Sequence, residues 1–283
     1  MDPQPTAATR PIQLKIADDI RMWIESGELQ PGDELPTLGE IMARWACSMN
    51  SARGAVSLLK SQGLITAGRG KAPRVRVPPA RVVRSSERHQ AEKDLARRPE
   101  RERSSVGEAE TNLGMSIQEQ EFTTKYATIE ADEALAAALS IAAGDALLRR
   151  TYKSIDPQSG RLLSSSTSYI PLEIVSGNPD LLDEQKEPWP GGTMHQLSTV
   201  GVEVMQIVDE VTGRMPTTVE AQAWGLTEGI PLLFCRRISL DADDRIVEIS
   251  DAEYPADRTE LRFITPLRPW RKKKQVTRKE AQK

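Results

Sequence analysis

Residues 48–77 read SMNSARGAVSLLKSQGLITAGRGKAPRVRV, and they lie inside a 46-residue window, 41–86, that holds no Asp or Glu, although acids make up about one residue in seven of the chain. The same window carries nine Lys and Arg side chains. Beneath the charge runs an apolar pattern: Ala52, Ala55, Val56 and Leu59 recur at helical spacing from Ser48 until Gly63 ends the run. "LIT" and "RVRV" then flank the tight "AGRG", which reads as two short strands around a turn, a β-wing. A helix and hairpin cleared of carboxylates suit an anionic polymer, and nucleic acid is the natural candidate.

Upstream, Ile12, Ile16, Ile20, Trp23 and Ile24 predict an amphipathic helix that stops at Gly27, and "ELQPGDELP" reads as a turn. Thr37 with Glu40 forms a capping box ahead of Leu38, Ile41, Met42 and Trp45 on one face of a second helix. Only the short "ACSMN" separates it from the third, so the pair makes a helix-turn-helix. The outward positions of the third helix and wing include Asn50, Ser51, Arg53, Arg69, Lys71, Arg74 and Arg76. In that arrangement the start of the third helix enters a major groove and the wing lies along phosphates.

From residue 11 to 77 the chain resembles the winged helix-turn-helix domain of the GntR family of bacterial transcription regulators. The matches are "ESGELQPGDELP", the stretch Ser48–Ala55 opening the recognition helix, "LLKSQGLI" and the "GRG" wing tip. With the resemblance, the DNA contacts are expected at Thr37, Ser48, Asn50, Ser51, Arg53, Arg69, Gly70, Lys71 and Arg74 of a double-stranded operator. The sequence departs from the family where Met49 and Gly39 stand in places that often hold basic residues.

Charge divides the rest of the chain. Residues 1–103 hold 18 Lys/Arg against 13 Asp/Glu, residues 104–267 hold 12 against 27, and residues 268–283 hold 8 against 1. The expected organisation is a DNA-binding domain over 1–77, a charged linker over 78–112 with one short helix around 87–97, a second domain over 113–267, and a basic, disordered tail over 268–283. The second domain contains an internal repeat at a constant offset of 85: Ala136, Ala138, Gly144, Leu147, Leu148, Asp156, Ser165 and Tyr169 reappear as Ala221, Ala223, Gly229, Leu232, Leu233, Asp241, Ser250 and Tyr254. Each copy reads as a short helix, a Gly turn and two strands joined by a hairpin turn. Two such halves predict an α+β domain with a mainly antiparallel sheet.

This block resembles the UTRA effector-binding domain of the HutC subfamily, on "AAALSIAAGDALLRR", "SSTSYIP", "GTMHQL" before "GVEV", and the stretch from "AWGLTEG" to "EYPADR". The resemblance implies a chorismate lyase-like α+β fold with a pocket for a small metabolite between the repeated halves. Carried over by position, the effector contacts are Arg150, Tyr152, Ser168, Glu248 and Tyr254, with Tyr152 and Ser154 standing in the places of the family's usual Arg-x-Arg pair. Glu248 and Tyr254, six residues apart, are both expected to face the cleft, with Tyr254 ending its strand at the same place in the repeat as Tyr169. Arg236 and Arg237 read instead as salt-bridge residues.

Three functions remain open: a repressor released from DNA by a small effector, a constitutive DNA binder such as a regulator of plasmid transfer, and an enzyme of the chorismate lyase type. No nucleophile-base pair, phosphate loop or metal cluster is present in the pattern, so no catalytic residue, metal or cofactor is expected. His89 and His195 form no constellation, and Cys47 and Cys235 are expected as small buried residues without a disulfide. With 283 residues, no apolar run of about 18 residues and no signal peptide pattern, a cytoplasmic protein without membrane contact is the reading; a homodimer is expected because it would place two recognition helices in successive major grooves of a two-fold symmetric site.

Overall fold

The computed structural model describes residues 10–66, 72–104 and 121–267. Three helices open it: α1 (Ile12–Ser26), α2 (Leu38–Trp45) and α3 (Met49–Ser61). Helix α1 stops where Gly27 turns left-handed at φ 81°. The capping box of α2 is complete, since the Thr37 side chain accepts from the Glu40 amide while Glu40 reaches back to the Thr37 amide. The turn into α3 is so short that Ala46 takes φ 47°, a strained conformation for a residue with a Cβ. Strands β1 (Ile65–Thr66) and β2 (Arg74–Val75) pair antiparallel as the wing, with Ile65 opposite Val75. The wing tip, including Arg69, Gly70 and Lys71, lies outside the described residues, as does the tail 268–283.

The apolar stripe read from the sequence is the core of this unit: Ile16, Ile20, Ile41, Ala52, Ala55, Leu59, Ile65 and Val75 are all within 2% of full burial. Each large aliphatic side chain so buried stabilises the unit by about 1.5 to 3 kcal/mol. Cys47 is only half-buried beside this core, whereas Cys235 is buried in the second domain.

The described part of the linker, residues 78–104, is not a bare spacer. Strand β3 (Val82–Ser85) pairs in parallel with a strand at the far end of the second domain, β10 (Thr259–Arg262). Helices α4 (Arg88–Ala96) and α5 (Glu100–Arg103) follow. Their charge helps to dock them: Lys93 and Arg97 hold Glu203 at 3.0 and 3.1 Å.

The second domain is built on a six-stranded antiparallel sheet in the order β4 (Glu121–Glu130), β5 (Ala146–Ile155), β6 (Leu162–Pro171), β9 (Ile246–Pro255), β8 (Leu232–Leu240), β7 (Gln206–Arg214). Two halves of the same plan meet at β6 and β9: strand, short helix, two strands. The short helices are α6 (Glu133–Leu139) and, in the second half, α9 (Thr218–Ala223), each followed by a left-handed glycine, Gly144 at φ 89° and Gly229 at φ 86°. One face of the sheet packs α6 through Ala136, Leu139, Leu147 and Ile249. The other is covered by α7 (Leu172–Val175), α8 (Gly192–Ser198) and the linker helix α4.

The repeat, however, does not keep its offset. Ser154 pairs with Ser164 in the first hairpin and Ser239 with Glu248 in the second, so β5 maps onto β8 at 85 residues but β6 maps onto β9 at 84. The second hairpin turn is one residue shorter. Because side chains alternate across a strand, one residue moves a side chain to the opposite face. Tyr169 therefore packs with Leu147 and Ile249 on the face that α6 covers, although it holds the place of Tyr254 in the sequence repeat. The structural counterpart of Tyr254 is Ile170, and that of Ser250 is Ser166.

Candidate functional site

On the DNA-reading side, the start of α3 is open. Met49, Asn50 and Arg53 are exposed, and Ser48 caps the helix by accepting from the Ser51 amide at 3.2 Å. The Thr37 hydroxyl is engaged in its own cap, 2.8 Å from Glu40 Oε2. Arg74 is exposed and forms an ion pair with Glu34 while donating to the Gly32 carbonyl at 2.9 Å. Arg76, read from the sequence as outward-facing, turns the other way: its Nη1 lies 2.9 Å from Asp257 Oδ2 of the second domain. Arg44 lies 4.2 Å above the ring of Trp23.

In the second domain, alternation places Arg150, Tyr152 and Ser154 of β5, Ser164, Ser166 and Ser168 of β6, Glu248, Ser250 and Tyr254 of β9, and Arg237 and Ser239 of β8 on one face. All of them but Arg150 floor a cavity of about 240 Å³. Of the five expected effector contacts, Tyr152, Ser168, Glu248 and Tyr254 line it. Arg150 does not; it lies fully buried behind them. Its Nη2 donates to Glu248 Oε1 at 2.7 Å and to Ser168 Oγ at 2.9 Å, and its Nη1 donates to Gln196. Burial opposes its charge, but the surrounding Tyr152, Glu248, Tyr126 and Glu187 outweigh that and hold the guanidinium above its ordinary pKa. Arg150 is thus committed to the protein, and the sheet presents to the cavity serine and tyrosine hydroxyls, the Glu248 carboxylate and the Arg237 guanidinium.

The wall includes groups that the sequence did not single out. Glu187 Oε1 accepts from Tyr126 Oη at 2.5 Å, Tyr152 Oη at 3.0 Å and Gln196 Nε2 at 3.0 Å. Burial pushes the Tyr126 hydroxyl up to about 12 and Tyr152 well above its usual range, so both stay protonated donors at any physiological pH. Glu187 sits in an irregular "KEPWP" loop with no periodicity to mark it. The linker supplies the remaining side: Arg84, Glu92 and Arg103 line the cavity, and the Arg84 guanidinium stacks 4.1 Å over the Tyr254 ring. A second cavity of about 260 Å³ continues under α4, between Arg88, Leu95, Cys235 and Arg237.

The expected salt-bridge arginines are as read. Arg236 grips Asp251 with two bonds of 2.7 Å, and Arg237 lies 3.4 Å from Asp209, although it also reaches both cavities. His89 of α4 shares Asp209 at 2.9 Å, and His195 accepts from the Trp189 indole at 2.8 Å. Among the described residues no cluster of His, Cys, Asp and Glu could hold a metal, and no helix is long and apolar enough to cross a membrane.

Comparison with known proteins agrees with this geometry. The family "Bacterial regulatory proteins, gntR family" matches residues 12–75, and the UTRA domain matches residues 118–260. An uncharacterized HTH-type transcriptional regulator of Rhizobium meliloti is 24% identical over 260 residues, covering 89% of this chain and 93% of that protein. Another, of Streptomyces coelicolor, is 25% identical over 252 residues, covering 86% and 88%. The crystal structure of a GntR-family transcriptional regulator superposes with a TM-score of 0.68 at 26% identity, covering 92% of this chain and 99% of that one. A winged helix with an open recognition-helix start, joined to a UTRA domain with a hydroxyl-lined cavity, is the architecture of a DNA-binding regulator rather than an enzyme: the chain belongs to the GntR family of transcription regulators that carry a UTRA effector domain.

Proposed function

We propose that the protein is a homodimeric repressor that leaves its operator when a small molecule enters the UTRA cavity. One observation carries the reading: the sheet face between the two halves is not packed shut with apolar side chains but holds a cavity of about 240 Å³ lined by serines, Tyr152, Glu248 and Tyr254. Such a surface favours a small polar ligand with several hydroxyl or amine groups, since a buried carboxylate accepts strong charge-assisted hydrogen bonds. The committed state of Arg150 argues against that residue as an anion clamp. Operator contact falls to Ser48, Asn50, Ser51 and Arg53 at the start of α3, with Arg69, Gly70, Lys71 and Arg74 of the wing along the backbone and Thr37 holding the helix that crosses it. In a dimer, two such helices enter successive major grooves of a two-fold site. The protein acts in the cytoplasm, on the nucleoid when bound.

Selecting genomic fragments on the full-length protein gives the operator, and titrating small polar metabolites against that complex tests the switch. The expected result is at least one compound that releases DNA and, by reciprocity, binds the operator complex more weakly by the same factor. Release by no compound favours the alternative, a constitutive repressor. On the same operator Arg53→Ala is expected to cost about 1 to 3 kcal/mol if the guanidinium reads a base edge, and unchanged affinity would remove Arg53 from the contact set.

A further inference from the structure

The recognition helix has two ends, and only one of them is free. At its C-terminal end Gly63 is buried against the loop that follows α9, and Lys60 reaches Glu228 of that loop at 3.0 Å. The approach is backbone on backbone: a Cβ on Gly229 would stand 2.3 Å from the Ser61 carbonyl oxygen and 2.5 Å from the Gly63 nitrogen, and one on Gly63 would stand 2.9 Å from Ile230 Cδ1. Below this contact Arg76 donates through Nε to the Gly63 carbonyl at 3.0 Å and through Nη1 to Asp257 at 2.9 Å. The Asp257 side chain is only 4% exposed, and Arg258 Nε holds its other oxygen at 3.0 Å.

Asp257 is also close in the chain to the cavity. It lies three residues after Tyr254, whose ring carries Arg84, and two before β10, which pairs with the strand bearing Arg84. A change at Tyr254 therefore moves a segment of only a few residues before it reaches Asp257, Arg76 and the end of the recognition helix. We propose that this docking surface, Arg76 with Asp257 beneath the Gly63–Gly229 contact, is a latch that fixes the recognition helix on its own effector domain, and that the stretch 254–259 relays the state of the cavity to it. The relay rests on the reading of the cavity as an effector site; the latch does not. Because the contact is at the C-terminal end of the helix, it leaves Ser48–Arg53 open to DNA and acts by setting the helix's orientation.

Zero-length carbodiimide coupling of the full-length protein, followed by peptide mass spectrometry, reads the latch through the Lys60–Glu228 pair without any ligand, and mixing isotopically light and heavy protein separates links within a chain from links between chains. The expected result is a within-chain link in the wild type that falls about tenfold in Asp257→Asn and in Arg76→Gln, since each leaves a buried partner unpaired. Gly229→Ala, which touches neither charge, should do the same by wedging the backbones apart, and it decides the question if the charge variants fail to fold. No such link in the wild type, or a link unchanged in Gly229→Ala, overturns the latch. Arg84→Gln tests the relay: a drop of about twofold or more in the link is expected, because cation–π contacts of this kind are individually modest, and an unchanged link overturns it. A protein that keeps the link but responds to no metabolite refutes the effector reading and leaves the latch standing.

Discussion

The two halves of the UTRA domain share a plan but not a chemistry. At matching places β5 carries Arg150, Tyr152 and Ser154 where β8 carries Cys235, Arg237 and Ser239. In the first half the inward residues join a buried network closed by Glu248, Gln196 and Glu187. In the second, Cys235 and Arg237 line the cavity under the linker helix α4, and only Ser239 reaches Glu248. A duplicated fold therefore repeats its hydrogen-bond ladder and apolar layer, which any suitable side chain satisfies, while the ligand face diverges. A turn shorter by one residue widens the difference by sending Tyr254 inward and leaving Tyr169 outside.

The largest test of that contrast is the buried ion pair. Arg150→Met leaves the buried Glu248 without its counter-charge, and the expected loss of stability is about 3 to 5 kcal/mol; Cys235→Ala, at the matching place, is expected to cost about 1 kcal/mol. Urea denaturation midpoints compare them, and equal losses would mean that the pair is not what distinguishes the halves. For the same reason Glu248→Gln is a poor probe of ligand binding, since it leaves Arg150 without its counter-charge. The tyrosines give a cleaner comparison. Tyr254→Phe is expected to raise the effector concentration for half-release from the operator by about 3- to 10-fold, the worth of one hydrogen bond, whereas Tyr169→Phe leaves it unchanged. An equal effect from both would restore the constant repeat offset.

The smallest effect concerns what covers the second half. Burial lowers the pKa of His89 on α4, opposed by its bond to Asp209, with Arg237 and Arg88 nearby. A histidine whose folded pKa is depressed binds protons more readily once undocked, so docking of α4 is fully supported above the ordinary histidine value of about 6.5 and weakens as pH falls through it. Amide exchange across 88–96, corrected for intrinsic rates, should rise modestly from pH 7.5 to 5.5 in the wild type and stay flat in His89→Gln. A flat wild type would show that Asp209 compensates fully.

Much of this was legible in the residues. Periodicity found the three helices because each buries one stripe, and the capping box marked the start of α2 because a cap is a local event. The repeat was visible for the same reason: turns and apolar layers are set by neighbours in sequence. The acid-free window, in contrast, was read too simply. Of its basic residues, Arg76 holds Asp257, Arg84 stacks on Tyr254, Lys60 pairs with Glu228 and Arg44 lies on Trp23, so part of the missing acid reflects partners supplied from elsewhere in the chain.

The elements, their order, the polarity of the recognition helix and the duplication can be read along the chain, because they depend on local conformation and on which face of each element is apolar. Which charges are buried and paired inside depends on the folded arrangement. Arg150 with Glu248, Arg76 with Asp257, and Glu187 with its two tyrosines are separated by 98, 181 and at least 35 residues. No pattern in the chain ties such positions together; they meet because the sheet and the linker bring them there, and the cost of burying each charge alone makes every one of them find its partner.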